Sequence, residues 1–394
     1  MTRRGVLAAS AAAITLFSVL AAASPVAATS ASSAAHSKRV CAVAPAGYAA
    51  CQSHVVTDAN LKPLATTSYQ GGYSPTQLRT AYGLGGGSAP TVAIVDAYAN
   101  PAATVVADLA KYRTQFGLGT ANLTQVNQSG GTTLASSNAG WGQEEMLDLE
   151  MVSAICPACP ILYVGASSAS FNDLAAAVDR AATMGAKVIS NSYGGNEFSG
   201  EATIASHYNH PGVAITVSSG DSGYGAQAPA AFNTVTAVGG TTLRLTAANA
   251  RLSETVWSGA GSGCSAYITK PTWQHDGACS RRTISDVAAV ADPATGVAVY
   301  DSYGSTGGAN WYVFGGTSVA APIIGAVYAL SGNTAGVPVS LAYGASAGSL
   351  FDVTSGSNGR CVRGHSTTGA YLCTGGPGYD GPTGLGTPNG TTAF

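Results

Sequence analysis

Charge is what this 394-residue chain has least of. Asp, Glu, Lys and Arg together make up 9% of it, against about 25% in ordinary globular proteins. Seventeen Lys and Arg oppose nineteen Asp and Glu, with no basic run and no acidic tail. That excludes nucleic acid as the expected partner. Few carboxylates also means few native ion pairs for acid to break, which points to an acidic workplace. No segment outside the N-terminus is long and apolar enough to span a bilayer. Histidine is sparse, with six in the whole chain. One interval has no ionisable Asp, Glu, Lys, Arg or His at all, from Asp301 to Asp352. What the chain does have is 46% hydrophobic residues and 51 glycines, enough for a large core with many tight turns.

The first residues read as a secretory signal peptide, 1–28: a basic start, an apolar run, then small residues suited to cleavage after Ala28. A membrane anchor is the rival reading, and Pro25 with the small-residue end favours cleavage. The mature protein is therefore expected outside the cell and free of the membrane. Eight cysteines suit that compartment. They fall in local pairs, Cys41 with Cys51, Cys156 with Cys159, Cys264 with Cys279 and Cys361 with Cys373. Eight cysteines allow about 105 pairings, so connectivity stays open and short-range pairing is the economical choice. Cys156-Pro-Ala-Cys159 has redox-motif spacing without a thioredoxin-like setting, and no histidine pair stands at zinc-ligand spacing nearby. Residues 29–70 are rich in Ala, Ser and Thr and read as a short, poorly packed leader held by the first cysteine pair. The remainder, 71–394, reads as one domain, and nothing in it demands more than a monomer.

Within that domain, strand and helix patterns alternate. TVAIVDAY (91–98), ILYVGA (161–166), KVISNSYGG (187–195) and VAITVSSG (213–220) are short apolar runs bounded by turn signals. Between them, 104–117, 143–155 and 171–185 carry helical spacing. This predicts an α/β fold with a mainly parallel central sheet covered by helices on both faces. Function in such sheets gathers at the carboxyl ends of strands.

The uncharged interval contains FGGTSVAAP (314–322) and then an all-apolar run. Pro322 is tolerable only near a helix start, so a buried helix should begin close to Thr317 or Ser318. Ser318 is then either its cap or a nucleophile, since paired glycines admit substrate backbone and a helix start offers donors to an oxyanion. A nucleophile needs a base. The setting first suggests a subtilisin-type site, with Asp96 in the aspartate position, but no histidine lies in the small-residue context that such a site requires. WGQEEMLDLE offers carboxylates instead. Glu144 and Asp148 are four apart, on one helix face, where a pair of carboxyls shares a proton over an acidic range. The plainer reading is a solvated face, with Glu145 and Glu150 complementing the dipole of a first helical turn. In SSGDSG (218–223), Asp221 is either a turn residue or a neutral acid that donates to an oxyanion.

Taken together, and in this order, the ExxxD, GDSG and GTSxxxP motifs resemble those of the sedolisin, or serine-carboxyl peptidase, family. GYSPTQLRTAYGL, VISNSYGG, SDVAAVADP and GYDGPTGLGTP extend the resemblance from about Gly72 to the C-terminus. It implies a subtilisin-like three-layer domain and a secreted serine-type peptidase acting on proteins or peptides in acid, as an endopeptidase or, since both occur in the family, as a tripeptidyl-peptidase. By the resemblance, Ser318 is the nucleophile, Glu144 its general base, Asp148 the partner that orients Glu144, and Asp221 serves the oxyanion. Asp96 is not catalytic, and Ser192, Tyr193 and Gly194 flank the substrate backbone. It also implies one structural Ca2+, held by Asp352 and Asp380 with carbonyls of Val353, Gly376 and Gly378. The family's large N-terminal prodomain is not expected in residues 29–70, which are too few to fold as one. The competing readings are a non-catalytic secreted binding or scaffold protein on a peptidase fold, and a true subtilisin with an unusual base.

Overall fold

Six strands run parallel through the centre of a twisted sheet, in the spatial order Thr236–Leu245, Ala214–Ser218, Val188–Asn191, Val92–Ala97, Ile161–Ala166, Leu123–Asn127. Arg251–Val256 adds an antiparallel edge to the Thr236 strand, and Val287–Val290 pairs parallel to the same strand. This computed structural model describes residues 1–2, 36–303, 308–361 and 369–394; the signal peptide assigned to 1–28 lies almost wholly outside them. Ala34–Phe394 form one compact unit. Among the described residues, no helix is long and apolar enough to cross a membrane.

Alternation along each strand feeds two cores. Val92 and Ile94 point into one, with the helices Ala102–Phe116, Ala139–Ile155 and Thr317–Ser331. Ala93, Val95 and Ala97 point into the other, against Phe171–Thr183. A sheet covered on both faces explains why its strands read as unbroken apolar runs. The expected elements stand where the pattern put them, with one division. KVISNSYGG is two strands, Val188–Asn191 in the central sheet and Tyr193–Asn196 in a small antiparallel one, and the chain turns at Ser192. The four cysteine pairs are all disulfides of the short-range kind.

The described part of the leader is not poorly packed. Cys51, Gln52, Ser53, Val55, Val56 and Thr57 are buried. His36–Arg39 pairs with His54–Thr57, and the latter joins Asn310–Gly315, the strand that runs into the Ser318 helix. Low periodicity hid this, because the strands are four residues or shorter and find their partners far along the chain.

One buried ion pair ties the sheet edge. Arg282 is fully buried, with Nη1 donating to Asp286 Oδ1 at 2.7 Å and Nη2 to Oδ2 at 2.5 Å. Asp286 also accepts the Ala237 amide at 2.7 Å. Arg282→Met would strand the Asp286 charge, and breaking a buried pair costs about 3–5 kcal/mol. The expected outcome in a denaturant titration is a loss of that size, partly recovered by adding Asp286→Asn. A loss below about 1 kcal/mol would contradict this account.

Candidate active site

The two helices that carry the site are placed by local chemistry. Asn138 caps the helix Ala139–Ile155 by accepting the Gly140 and Trp141 amides, so the helix begins a turn earlier than the apolar spacing suggests. Glu144 and Asp148 share its inner face as predicted. Glu145 and Glu150 are not in its first turn and are not solvated: both are fully buried. Glu145 accepts the Asn100 amide at 2.7 Å and Glu150 the Tyr300 amide at 2.9 Å. They are anchors for neighbouring backbone, which corrects the dipole reading. The second helix starts at Thr317, as expected, and Pro322 falls in its second turn. Pro322 has no N–H to give the Ser318 carbonyl, and that carbonyl instead accepts the Ser192 hydroxyl at 3.3 Å.

Ser318, Glu144, Asp148 and Asp96 are fully buried, and Asp221 nearly so. The Ser318 hydroxyl donates to the Ser192 carbonyl at 3.1 Å and accepts the Gln52 amide at 3.1 Å. Glu144 Oε2 accepts the Ser53 hydroxyl at 2.5 Å, while Oε1 has no partner. Burial pushes Glu144 well above its usual range, and the Asp96 charge adds to this; nearby Ser318 and Ser53 oppose it. Asp148 is pushed the same way by burial, then by Asp96 and Glu144. Its Oδ1 accepts the Ser192 hydroxyl at 2.9 Å. Asp221 Oδ1 accepts the Thr317 amide at 2.8 Å and the Thr317 hydroxyl at 2.7 Å, and Oδ2 has no hydrogen-bond partner. Burial lifts Asp221 to about 6. Asp96 belongs to the same group: both its oxygens are unpartnered and burial lifts it to about 8.

Among the described residues, no Lys or Arg forms an ion pair with any of these carboxyls. The histidine nearest to them by contact is His54, with Nε2 3.6 Å from Asp221 Oδ2. Burial and then Arg39 lower it to about 4, so it is neutral above that pH and the contact is not an ion pair there. No histidine is hydrogen-bonded to Ser318 among the described residues. The structure thus brings Glu144, Asp148, Asp221, Ser318 and Ser192 together. Tyr193 and Gly194 form the adjoining strand, antiparallel to Ala50–Cys51. Sequence reading missed Gln52, Ser53 and Thr317, which touch the group through contacts that no local pattern announces.

The chain resembles known proteins across this arrangement. The profile of the subtilase family matches residues 117–336. Sedolisin of Pseudomonas sp. (strain 101) is 31% identical over 366 residues, covering 80% of this chain and 59% of that protein. The chain belongs to the subtilase family, in its sedolisin group. Kumamolisin of Bacillus sp. (strain MN-32) is 30% identical over 321 residues, covering 72% of this chain and 56% of that protein. The chain thus spans less than two thirds of the length of both curated relatives. The solved structure of Pseudomonas sedolisin, described as a serine-carboxyl proteinase complexed with two molecules of pseudo-iodotyrostatin, superposes with a TM-score of 0.69 at 27% identity. It covers 82% of this chain and 96% of that one. The fold is subtilisin-like, three-layered and mainly parallel.

The sedolisin-like C-terminal loop folds round Asp352 and Asp380. Asp352 accepts the Gly378 amide at 2.8 Å; Asp380 accepts the Gly376 amide at 3.2 Å and the Thr383 amide and hydroxyl at 2.9 and 2.8 Å. Burial lifts Asp380 to about 7, with the Asp352 charge adding to it. The Val353 carbonyl packs beside Gly375. Among the described residues no cation pairs with either carboxyl, and no group of three or more His, Cys, Asp or Glu side chains is placed to hold a metal ion. Two mutually unfavourable carboxyls among loop carbonyls suit a hard cation, with backbone oxygens making up the coordination.

The buried carboxyls fix how stability depends on pH. Asp96 and Asp221, at about 8 and about 6, hold protons in the native chain that the unfolded chain has lost. Their contribution is fully present below the unfolded carboxyl value, about 4, and is lost as pH rises through the folded values. Urea midpoints should therefore be highest at about pH 4 and fall steadily toward about pH 8. A midpoint that rises over this range would contradict the assignment.

Proposed function

We propose that this chain is a secreted serine-carboxyl peptidase that hydrolyses peptide bonds in acid, as an endopeptidase and a monomer. The observation that carries the reading is a buried serine at a helix start beside carboxyl groups that, among the described residues, form no ion pair with Lys or Arg, with no histidine hydrogen-bonded to the serine. In the reaction, Ser318 Oγ attacks the scissile carbonyl carbon. Glu144 takes the hydroxyl proton, and Asp148 holds Glu144 in the coupled pair, which needs only one negative charge between them to act. The Ser318 amide and a protonated Asp221 donate to the oxyanion. Glu144 then returns the proton to the leaving amine, and water cleaves the acyl ester with Glu144 again as base. Tyr193 and Gly194 bind substrate backbone as an added strand, with Ser192 at its start.

The need for a neutral Asp221 sets the alkaline limit. Activity should fall as pH rises through about 6, where Asp221 ionises. Hydrolysis of an acid-unfolded protein from pH 2 to 8 tests this. Ser318→Ala should lose activity by about a thousandfold or more. Asp221→Ala should lose about a hundred- to a thousandfold. Asp221→Asn, which still donates, should lose less and should no longer show the alkaline limb. Turnover that survives Ser318→Ala, or an absence of turnover at every pH over hours, would sink the peptidase reading. The second outcome would favour a non-catalytic binding protein on this fold.

The same proposal includes one Ca2+ held by Asp352, Asp380 and carbonyls of Val353, Gly376 and Gly378, tying the C-terminal loop to the sheet. The ion would supply charge compensation rather than chemistry on the substrate. Chelation with EDTA should lower the thermal midpoint by several degrees, and added Ca2+ should restore it. Asp352→Asn with Asp380→Asn should abolish that response. A midpoint insensitive to EDTA in the unsubstituted chain would exclude the site.

A further inference from the structure

Beside the nucleophile lies a slot for one side chain, and its lining is an amide. The backbone contacts of Gln52 show where the slot sits. The Gln52 carbonyl accepts the Ser318 amide at 3.0 Å, the donor assigned above to the oxyanion. A Cβ added at Gly316 would strike both that carbonyl and the unpartnered Asp221 Oδ2, so the two oxygens flank one point. Ala50–Cys51 lies antiparallel on Tyr193–Gly194, the strand assigned to substrate backbone. The buried Gln52 side chain therefore stands where the side chain on the acyl side of a scissile bond would stand, and it shows what that place accepts.

Three elements enclose the slot. Gln227 belongs to the short strand Gln227–Ala228, antiparallel to Gly195–Asn196, and its Oε1 accepts the Gln52 Nε2. Thr317, next to the nucleophile, brings its hydroxyl to 3.4 Å from Gln52 Oε1 while also donating to Asp221. The walls are glycines. A Cβ on Gly194 would strike both the Gln52 Nε2 and the Gln227 Oε1, and one on Gly220 would press on the Gln227 amide. Among the described residues, neither glutamine side chain bonds to a charged group. A leucine in this slot would leave the Gln227 acceptor without a donor. A lysine would shed its water with no anion to meet. An asparagine is one methylene short of the Gln227 oxygen.

We propose that Gln227 sets the specificity of this site, selecting a glutamine side chain at the residue whose carbonyl meets Ser318. The inference deepens the peptidase reading and rests on it for turnover, though not for binding. The selection lies in one amide contact between close glycine walls. A site built to hydrogen-bond a side chain rejects analogues that lack the donor more sharply than an apolar pocket rejects a change of size. Thr317 supports the contact, but its proton is shared with Asp221, so Gln227 is the residue that discriminates. A glutamate in the place of Gln227 would keep the acceptor and add a charge once ionised, above about pH 5. The slot would then draw a lysine.

Peptides Tyr-Ala-Ala-Ser-X, with X as Gln, Leu or Lys, test this on the full chain in two ways. In quenched form, with Ser-His after the scissile bond, they report kcat/KM at about pH 5. Gln should exceed Leu by about tenfold or more, and Lys by more still. Gln227→Leu should erase the advantage of Gln over Leu, and Gln227→Glu should raise Lys above Gln. Equal rates for the three peptides, or a preference for Gln that survives Gln227→Leu, would overturn the proposal. In fluorescent form the same peptides are titrated into Ser318→Ala, where no turnover is needed. The chain's own Gln52 competes equally with each peptide, so the ratio of affinities is unaffected and should rank the same way. Binding that ranks Gln first and loses that rank in Gln227→Leu, in a chain that cuts nothing, would keep the slot and remove the peptidase reading. Cutting without rank would keep the peptidase and remove the slot. Should neither cutting nor peptide binding be measurable, Gln52 itself serves as the ligand. In Ser318→Ala, Gln52→Leu and Gln227→Leu should each lower the thermal midpoint, and the double variant should lose clearly less than their sum. Additive losses would overturn the proposal.

Discussion

Four carboxyl groups, Asp96, Glu144, Asp148 and Asp221, are buried around one serine, and among the described residues no Lys or Arg forms an ion pair with any of them, although the Arg39 charge acts on Asp221 and lowers it. Burying an unpaired carboxylate is so costly that the group holds its proton instead. The donors that reach these acids are hydroxyls and an amide: Ser53 on Glu144, Ser192 on Asp148, Thr317 on Asp221. Such donors position a carboxyl without pinning it in one protonation state. A lysine or arginine in their place would hold the anion and end any sharing of a proton. The low charge of the whole chain and the chemistry of its centre therefore follow one rule. The start of the uncharged interval's helix is part of it, since a cation in the place of Thr317 would stand against Asp221.

Much of this was legible in the sequence because it is local. The parallel strands announced themselves as short apolar runs, and the uncharged helix as a run with Pro322 near its start. Glu144 and Asp148 share a face by spacing alone. The parts that were not legible depend on distance along the chain. Ser53 meets Glu144 across 91 residues, and Gln52 meets Ser318 across 266. Short strands with no amphipathic repeat gave residues 36–57 the texture of a loose leader, although they are pinned between two sheets. Glu145 and Glu150 were misread for a related reason. Their partners, the amides of Asn100 and Tyr300, belong to distant segments, so nothing nearby showed that these acids anchor buried backbone.

Ser192 shows how little separates support from chemistry here. Its carbonyl receives the Ser318 hydroxyl, and its own hydroxyl is close to both Asp148 and the Ser318 carbonyl that Pro322 leaves free. One residue at a strand break thus ties the serine helix to the carboxylate helix. The Ser192 carbonyl serves two donors at once, accepting the Gln52 amide as well as the Ser318 hydroxyl. The chain leaves one sheet at Asn191 and enters another at Tyr193.

The Ser318 hydroxyl stands between several partners: it is 3.1 Å from the Ser192 carbonyl, lies near enough to Glu144 to lower it, and accepts the Gln52 amide. Glu144 is likewise engaged, by Ser53. Both unproductive contacts on the cleft side come from adjacent residues of one segment. Burial is the first cause of every raised value in the group, so the packing that brings Gln52 and Ser53 onto the serine and the base is also what keeps these acids protonated.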